Sequence, residues 1–156
     1  MARPRLFHVA SLAAALALVV VSGSAFGQSN ARLDAILSEE IASAQSAAYL
    51  VMTSAGLIAD DATPAGALRE ARQQGWIGDR TDHDPVTFGE FAHLLMRAHG
   101  LPGGLMYRIF PGPRYAAREF VFQRWSPERR APRDLVSGEF LVRVTGNTLD
   151  MTGGHR

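Results

Sequence analysis

Hydrophobic residues recur along this chain at intervals of three and four, the spacing of one face of a helix. From Asn30 to Ala55 the stretch "NARLDAILSEEIASAQSAAYLVMTSA" contains neither proline nor glycine. Its Leu33, Ile36, Leu37, Ile41, Ala44, Ala48 and Val51 keep that interval. The pattern predicts one long amphipathic helix, stopped by Gly56 with Leu57 as the apolar contact of the C-cap.

A second, shorter helix is predicted over "TPAGALREARQQGW", with Thr63 as N-cap, Pro64 at the first helical position and Gly75 at the end. Trp76 and Ile77 can then fold back on the core. After a polar loop from Gly78 to Pro85, "DPVTFGEFAHLLMRAHGL" opens a third helix. Thr87 and Glu90 have the spacing of a capping box, and Val86 and Phe91 that of a hydrophobic staple.

Beyond Gly100, "LPGGLMYRIFPGP" reads as a connector with at most one turn of helix. A fourth helix is expected from about Arg114 to Arg124, then the loop "SPERRAPRD", then a fifth from about Ser137 to Thr145, stopped by Gly146. In "GEFLVRVTG" the alternation of Phe140, Val142 and Val144 would also suit a strand. Together these elements predict an all-α fold of about five helices in one domain, residues 28–150, followed by a frayed tail, 151–156.

Part of the sequence repeats. At an offset of 49, "ALREARQQGW" lies over "AAREFVFQRW", matching Ala67/Ala116, Arg69/Arg118, Glu70/Glu119, Gln74/Gln123 and Trp76/Trp125. The same offset superimposes Gly89-Glu90-Phe91 on Gly138-Glu139-Phe140, and this agreement favours helix over strand for "GEFLVRVTG". A third trace sets "AYLVMTSAGL" over "AHLLMRAHGL". A fixed period of this size marks a repeated supersecondary unit, here helix, tryptophan, polar loop and capped helix, which must pack on its neighbours to bury its apolar face. In this reading the long first helix is the capped helix of a unit that lacks its earlier half.

"DPVTFGEFAHLLMRAHGL" resembles the second half of an S-layer homology motif: a proline, then I/V-T-R-A-E-F-A, then a leucine-rich helix ending R-A-x-G. The resemblance covers Ala67 to Thr145 in two copies, with a partial copy around Ala48 to Leu57. It implies a three-lobed helical module outside the cytoplasm that anchors proteins to peptidoglycan or wall polysaccharide. Thr87 and Glu90 fall on the T and E of the signature, and Glu139 on the E of the last copy. Phe88 and Ser137 stand where the family has the arginine that helps to hold an anionic glycan, Gly89 and Gly138 where it has alanine, and Val136 where the last copy should have its capping threonine.

Composition narrows the chemistry. All 16 basic residues are arginine and there is no cysteine, which excludes disulfides, thiolate zinc sites and thiol catalysis. Arg3 and Arg5 precede an apolar run that ends in small residues, with Ala25-Phe26-Gly27 as a cleavage site. Residues 1–27 therefore read as a signal peptide, and export to the periplasm or cell envelope is expected. Without that leader 14 arginines face 15 carboxylates, a net charge of −1, so no nucleic-acid partner and no transmembrane segment are expected.

Several residues could carry chemistry. Asp79, Asp82, His83 and Asp84 crowd one loop, but only Asp82-x-Asp84 fits a calcium-loop pattern, so no metal or other cofactor is expected. Glu90, His93 and Arg97 have the spacing of one polar helix face, and a minority reading makes Glu90 and His93 the acid–base pair of a small hydrolase. No nucleophile motif accompanies them, and no catalysis is expected. His99 sits at a helix C-terminus, where a positive charge is favourable. Trp76, Trp125, Phe91 and Phe140 are expected in the core, as is a structural role for Glu139. Arg124, Arg129, Arg130 and Arg133 cluster around Glu128. The candidate ligand-binding set is Thr87, Glu90, Arg97, Arg129, Arg130 and Arg143. The expected function is a binding or scaffolding module associated with the cell wall. The alternative is an adaptor that docks an outer-membrane or secreted protein through an apolar surface, without glycan binding.

Overall fold

Serine and threonine hydroxyls start four of the helices in this fold, Thr63 accepting the Gly66 amide (3.1 Å) in one of them. The computed structural model describes residues 30–153, and among these there are seven helices and no strand. They are α1 over residues 30–37, α2 (Ala44–Ser54), α3 (Pro64–Gln73), α4 (Phe88–Ala98), α5 (Leu105–Ile109), α6 (Pro113–Phe122) and α7 (Gly138–Gly153). The expected all-α class holds, with seven helices where about five were expected, because the first helix is broken in two and the connector after Gly100 holds α5. The signal peptide expected over residues 1–27 lies outside the described residues.

Ser43, Thr87 and Ser137 cap α2, α4 and α7, accepting the amides of Ser46 (3.3 Å), Glu90 (3.4 Å) and Phe140 (3.2 Å). A helix leaves its first amides without intrahelical partners, and here the segments ahead of the caps serve one another. Ala44 N–H donates to the Asp84 carbonyl (2.8 Å), Phe88 N–H to Asp134 (2.8 Å) and Gly138 N–H to Glu39 (2.9 Å). One step earlier, Val86 N–H donates to Ala42 (2.9 Å) and Ala42 N–H to Val136 (2.7 Å). Ala42, Val86 and Val136, each just before its cap, are buried.

This junction divides the long helix expected from Asn30 to Ala55. Ser38 turns its hydroxyl back to the Ala35 carbonyl (2.7 Å), closing α1. The Glu39 carboxylate then accepts the Ser43 amide (2.8 Å) and the Ser46 hydroxyl (2.6 Å). Ala42 is drawn into the centre while Ile41, which the helical spacing would bury, is 54% exposed.

The repeated GEF triplet is not in the same register in its two helices. In α4 both halves of the capping box form, and Glu90 is the third helical residue. In α7 the cap is Ser137 rather than Val136, so Glu139 is only the second helical residue, with an exposed side chain 3.8 Å from Arg143. The glycines share a different purpose. A Cβ on Gly89 would lie 2.8 Å from the carbonyl oxygens of both Pro113 and Pro132, and one on Gly138 would overlap the Ile36 carbonyl. Both helices start where another backbone passes too close for a side chain. Helix α7 also runs through Gly146, expected to stop it, and on to Gly153, into the stretch expected to fray from residue 151. An exposed glycine costs a helix only about 1 kcal/mol.

Helix α3 packs on α2, α6 on α4, and α4 and α7 both touch α2. Between them Phe88, Phe91, Phe120 and Phe140 are fully buried. Phe88 meets Phe120 and Phe140 edge-on at 6.3 and 5.8 Å, and Phe120 meets Trp125 at 5.2 Å. Rings buried this completely resist truncation to alanine by about 3–5 kcal/mol each.

Four helices end alike, with the second residue past the C-cap donating back across the last turn: Leu57 to Met52 (2.9 Å), Trp76 to Ala71 (3.0 Å), Leu101 to Met96 (2.9 Å) and Trp125 to Phe120 (3.0 Å). The residue before each donor has positive φ: Gly56, Gly75 and Gly100, but Arg124 (φ 59°) in the last. A side chain in that conformation costs about 1–2 kcal/mol. Arg124→Gly is expected to raise the unfolding free energy by about 1 kcal/mol. Gly89→Ala should lower it by about 1–3 kcal/mol through overpacking. Urea denaturation of the two variants checks both signs.

Candidate functional site

The residues expected to share a polar face of α4 have separate duties. Glu90 Oε2 accepts the Thr87 amide (3.0 Å) and hydroxyl (2.7 Å), and Oε1 accepts Arg80 Nε and Nη2 (2.8 and 2.7 Å). Both carboxylate oxygens are thus filled by two donors each, with nothing directed at His93. His93 is buried, and its Nδ1 lies 2.9 Å from the Tyr107 hydroxyl. Burial, and then the nearby Arg97 charge, hold the imidazole below its ordinary pKa, while burial raises that of the Tyr107 hydroxyl. No hydrogen bond joins Glu90 to His93, each being taken by other partners, and the pair required by the hydrolase reading does not form. Arg97 is exposed on the same helix.

The acidic loop is occupied with its own backbone. Asp84 accepts the Thr81 amide (2.8 Å), a bond that lowers its pKa, and Asp82 lies 3.8 Å from Arg72. Among the described residues no group of three or more histidines and carboxylates is arranged to hold a metal. His99 contacts Ser54 Oγ (3.1 Å), and burial lowers its pKa, so it is not the positive cap expected at the end of α4. Trp125 is buried beside Phe120 and Trp76 is partly buried against the core.

Two adjoining clefts, of about 570 and 540 Å³, flank the segment before α7 and share Pro132. The first is lined by Thr87, Glu90 and Arg80 from the start of α4 and the loop before it, by Arg114 at the start of α6, and by Arg133. The second is lined by Arg118, Arg124, Arg129 and Arg130 around Val121 and Phe122. Arg114 and Arg118 are four residues apart on α6, so they rise from one face of it.

The arginines of this surface fall into two groups. Arg130 and Arg143 converge on Glu128, each at 2.8 Å, and the Arg130 hydrogen bond is the main cause of a lowered Glu128 pKa. Their guanidinium groups also lie over the Phe140 ring, at 4.6 and 5.9 Å. Arg114, Arg118, Arg124, Arg129 and Arg133 form no ion pair among the described residues. Of the arginines proposed as ligand contacts from sequence, Arg129 belongs to this unpaired group, whereas Arg130 and Arg143 are neutralised. Arg114 and Arg118 were missed, although the charge distribution pointed to them. Residues 30–104 hold ten carboxylates against five arginines, and residues 105–156 nine arginines against five carboxylates.

No protein-family model, curated protein or solved structure matches the chain. Among the described residues no helix is long and apolar enough to cross a membrane.

The histidines make a pH prediction. Burial, joined at His93 by the Arg97 charge, holds the pKa of His93 and His99 below the ordinary value in the fold, while the unfolded chain takes up protons near 6.5. The unfolded state then binds more protons, so stability is full above that value and falls as the pH drops through it. The Asp84 and Glu128 effects come lower, below the ordinary carboxylate values of 3.8 and 4.5. Thermal melts should therefore show a melting temperature that is level near pH 8 and declines as the pH falls below about 6.5. His93→Gln should flatten that decline.

Proposed function

We propose that this protein is an exported, non-catalytic module of the cell envelope that binds an anionic wall polymer, peptidoglycan or wall polysaccharide, along the two arginine-lined clefts. The observation that carries this reading is the set of unpaired arginines, Arg114, Arg118, Arg124, Arg129 and Arg133, lining adjoining clefts in a chain whose net charge is only +1. Guanidinium groups free of carboxylates keep their donors for a ligand, and a planar fork matches a carboxylate well.

The resemblance to S-layer homology repeats fits the same reading. The three capped helices α2, α4 and α7, their leading segments hydrogen-bonded to one another, support a three-lobed arrangement. The contact of Gly138 with Ile36 and Glu39 makes α1 a candidate for the half-unit that seemed missing from the sequence. Phe88, at the signature arginine position, is in the core. Thr87 and Glu90 of the signature nevertheless line a cleft with Arg114 and Arg133, so cations from neighbouring elements stand beside the signature residues.

Co-sedimentation of the leaderless protein with purified sacculi across a salt series tests the proposal. Binding at low salt that fades as salt rises is expected, since exposed charges are screened over about 10 Å at 0.1 M. Arg118→Gln with Arg129→Gln should weaken it by roughly threefold to tenfold, while Arg97→Gln, outside both clefts, should leave it unchanged. Failure to sediment at low salt would remove the wall from this account.

A further inference from the structure

The connector between α4 and α6 carries the most conspicuous apolar surface of the described residues. In and just after α5, Leu105, Met106, Ile109 and Phe110 are 69, 53, 54 and 59% exposed. At 3.6 residues per turn these four span an arc of about 140°, with Arg108 beside Leu105. Tyr107 points the other way. It is buried, with its hydroxyl against His93 and its ring 5.7 Å from the imidazole, so α5 is fastened to α4 by one face and presents the other. Exposed large hydrophobic groups gathered on one turn mark an interaction site rather than ordinary surface.

Charge indicates what covers them. On the turn itself the only charge is Arg108, exposed and without an ion pair among the described residues, while the Glu119 carboxylate lies beside Gly104 at the start of the turn. Apolar side chains with an unpaired arginine among them suit the interface of an anionic bilayer, where the chains enter the headgroup boundary and the guanidinium group meets phosphate. The face is a single short turn that lines neither cleft, so it offers no groove for a partner helix.

We infer that α5 is a membrane-surface contact, through which Leu105, Met106, Ile109 and Phe110 enter the headgroup region of an anionic bilayer while Arg108 pairs with its phosphates. This surface is separate from the two clefts, neither of which it lines. A protein holding wall polymer in the clefts and lipid at α5 would bridge the two.

The test is vesicle flotation of the protein recovered from the periplasm of an expression host, with its N-terminus determined. Vesicles of phosphatidylcholine alone are compared with vesicles containing phosphatidylglycerol. Association with the anionic vesicles is expected, and Leu105→Ser with Ile109→Ser should reduce it by about tenfold or more. Arg108→Gln should cost about fivefold on anionic vesicles and nothing on neutral ones. Both serine substitutions are on exposed positions, so the fold and binding to sacculi should be unchanged. No association with anionic vesicles at low salt would overturn the inference, as would equal association of wild type and the serine variant. A wild-type dimer made monomeric by the serine substitutions would instead assign the face to a second copy and also overturn it.

Discussion

The backbone junction of residues 39–44, 84–88 and 134–138 is the constraint on which this fold depends. A helix start is a set of amides in search of acceptors, and three starts brought together could have been three separate problems. Here the chain ahead of each cap supplies the acceptors for another. The exchange needs Ala42, Val86 and Val136 to be buried with their backbones in contact, and it aims α2, α4 and α7 outward from one point. The phenylalanine cluster then fills the space between helices whose directions are already set.

The same junction governs the surface. The segment that delivers the Asp134 and Pro132 carbonyls to the start of α4 also carries Arg129, Arg130 and Arg133. Its path against Gly89 fixes how near those arginines stand to Arg114 and Arg118 on α6. Glu128 divides the group by occupying Arg130 and Arg143, which leaves the remaining cations facing the clefts.

Local signals in the sequence were read well where the chemistry is local. Thr63 with Pro64, Thr87 with Glu90, and Gly56, Gly75 and Gly100 start or end helices as expected, because a cap involves residues only a few positions apart. The break at residues 38–43 was invisible to periodicity, since its cause lies in carbonyls some forty to ninety residues away. Matching letters misled in one place: the GEF triplets align at an offset of 49, whereas the caps Thr87 and Ser137 are 50 apart. His93 was placed on a polar face because its neighbours at helical spacing are polar. Tyr107, on a segment read as a mere connector, covers it. At the candidate site, the loop arginines were visible as a run, but their division into paired and unpaired groups depends on where Glu128 points.

The contact between Ala42 and Val136 joins positions 94 residues apart. Synthesis from the N-terminus therefore produces the first of the three central segments long before its last partner exists. Closing so large a loop is slow compared with forming a helical hairpin, and until α7 arrives the Ala42 amide has no Val136 carbonyl to meet. The junction is completed only when α7 arrives, so the earlier helices wait on it rather than folding piece by piece.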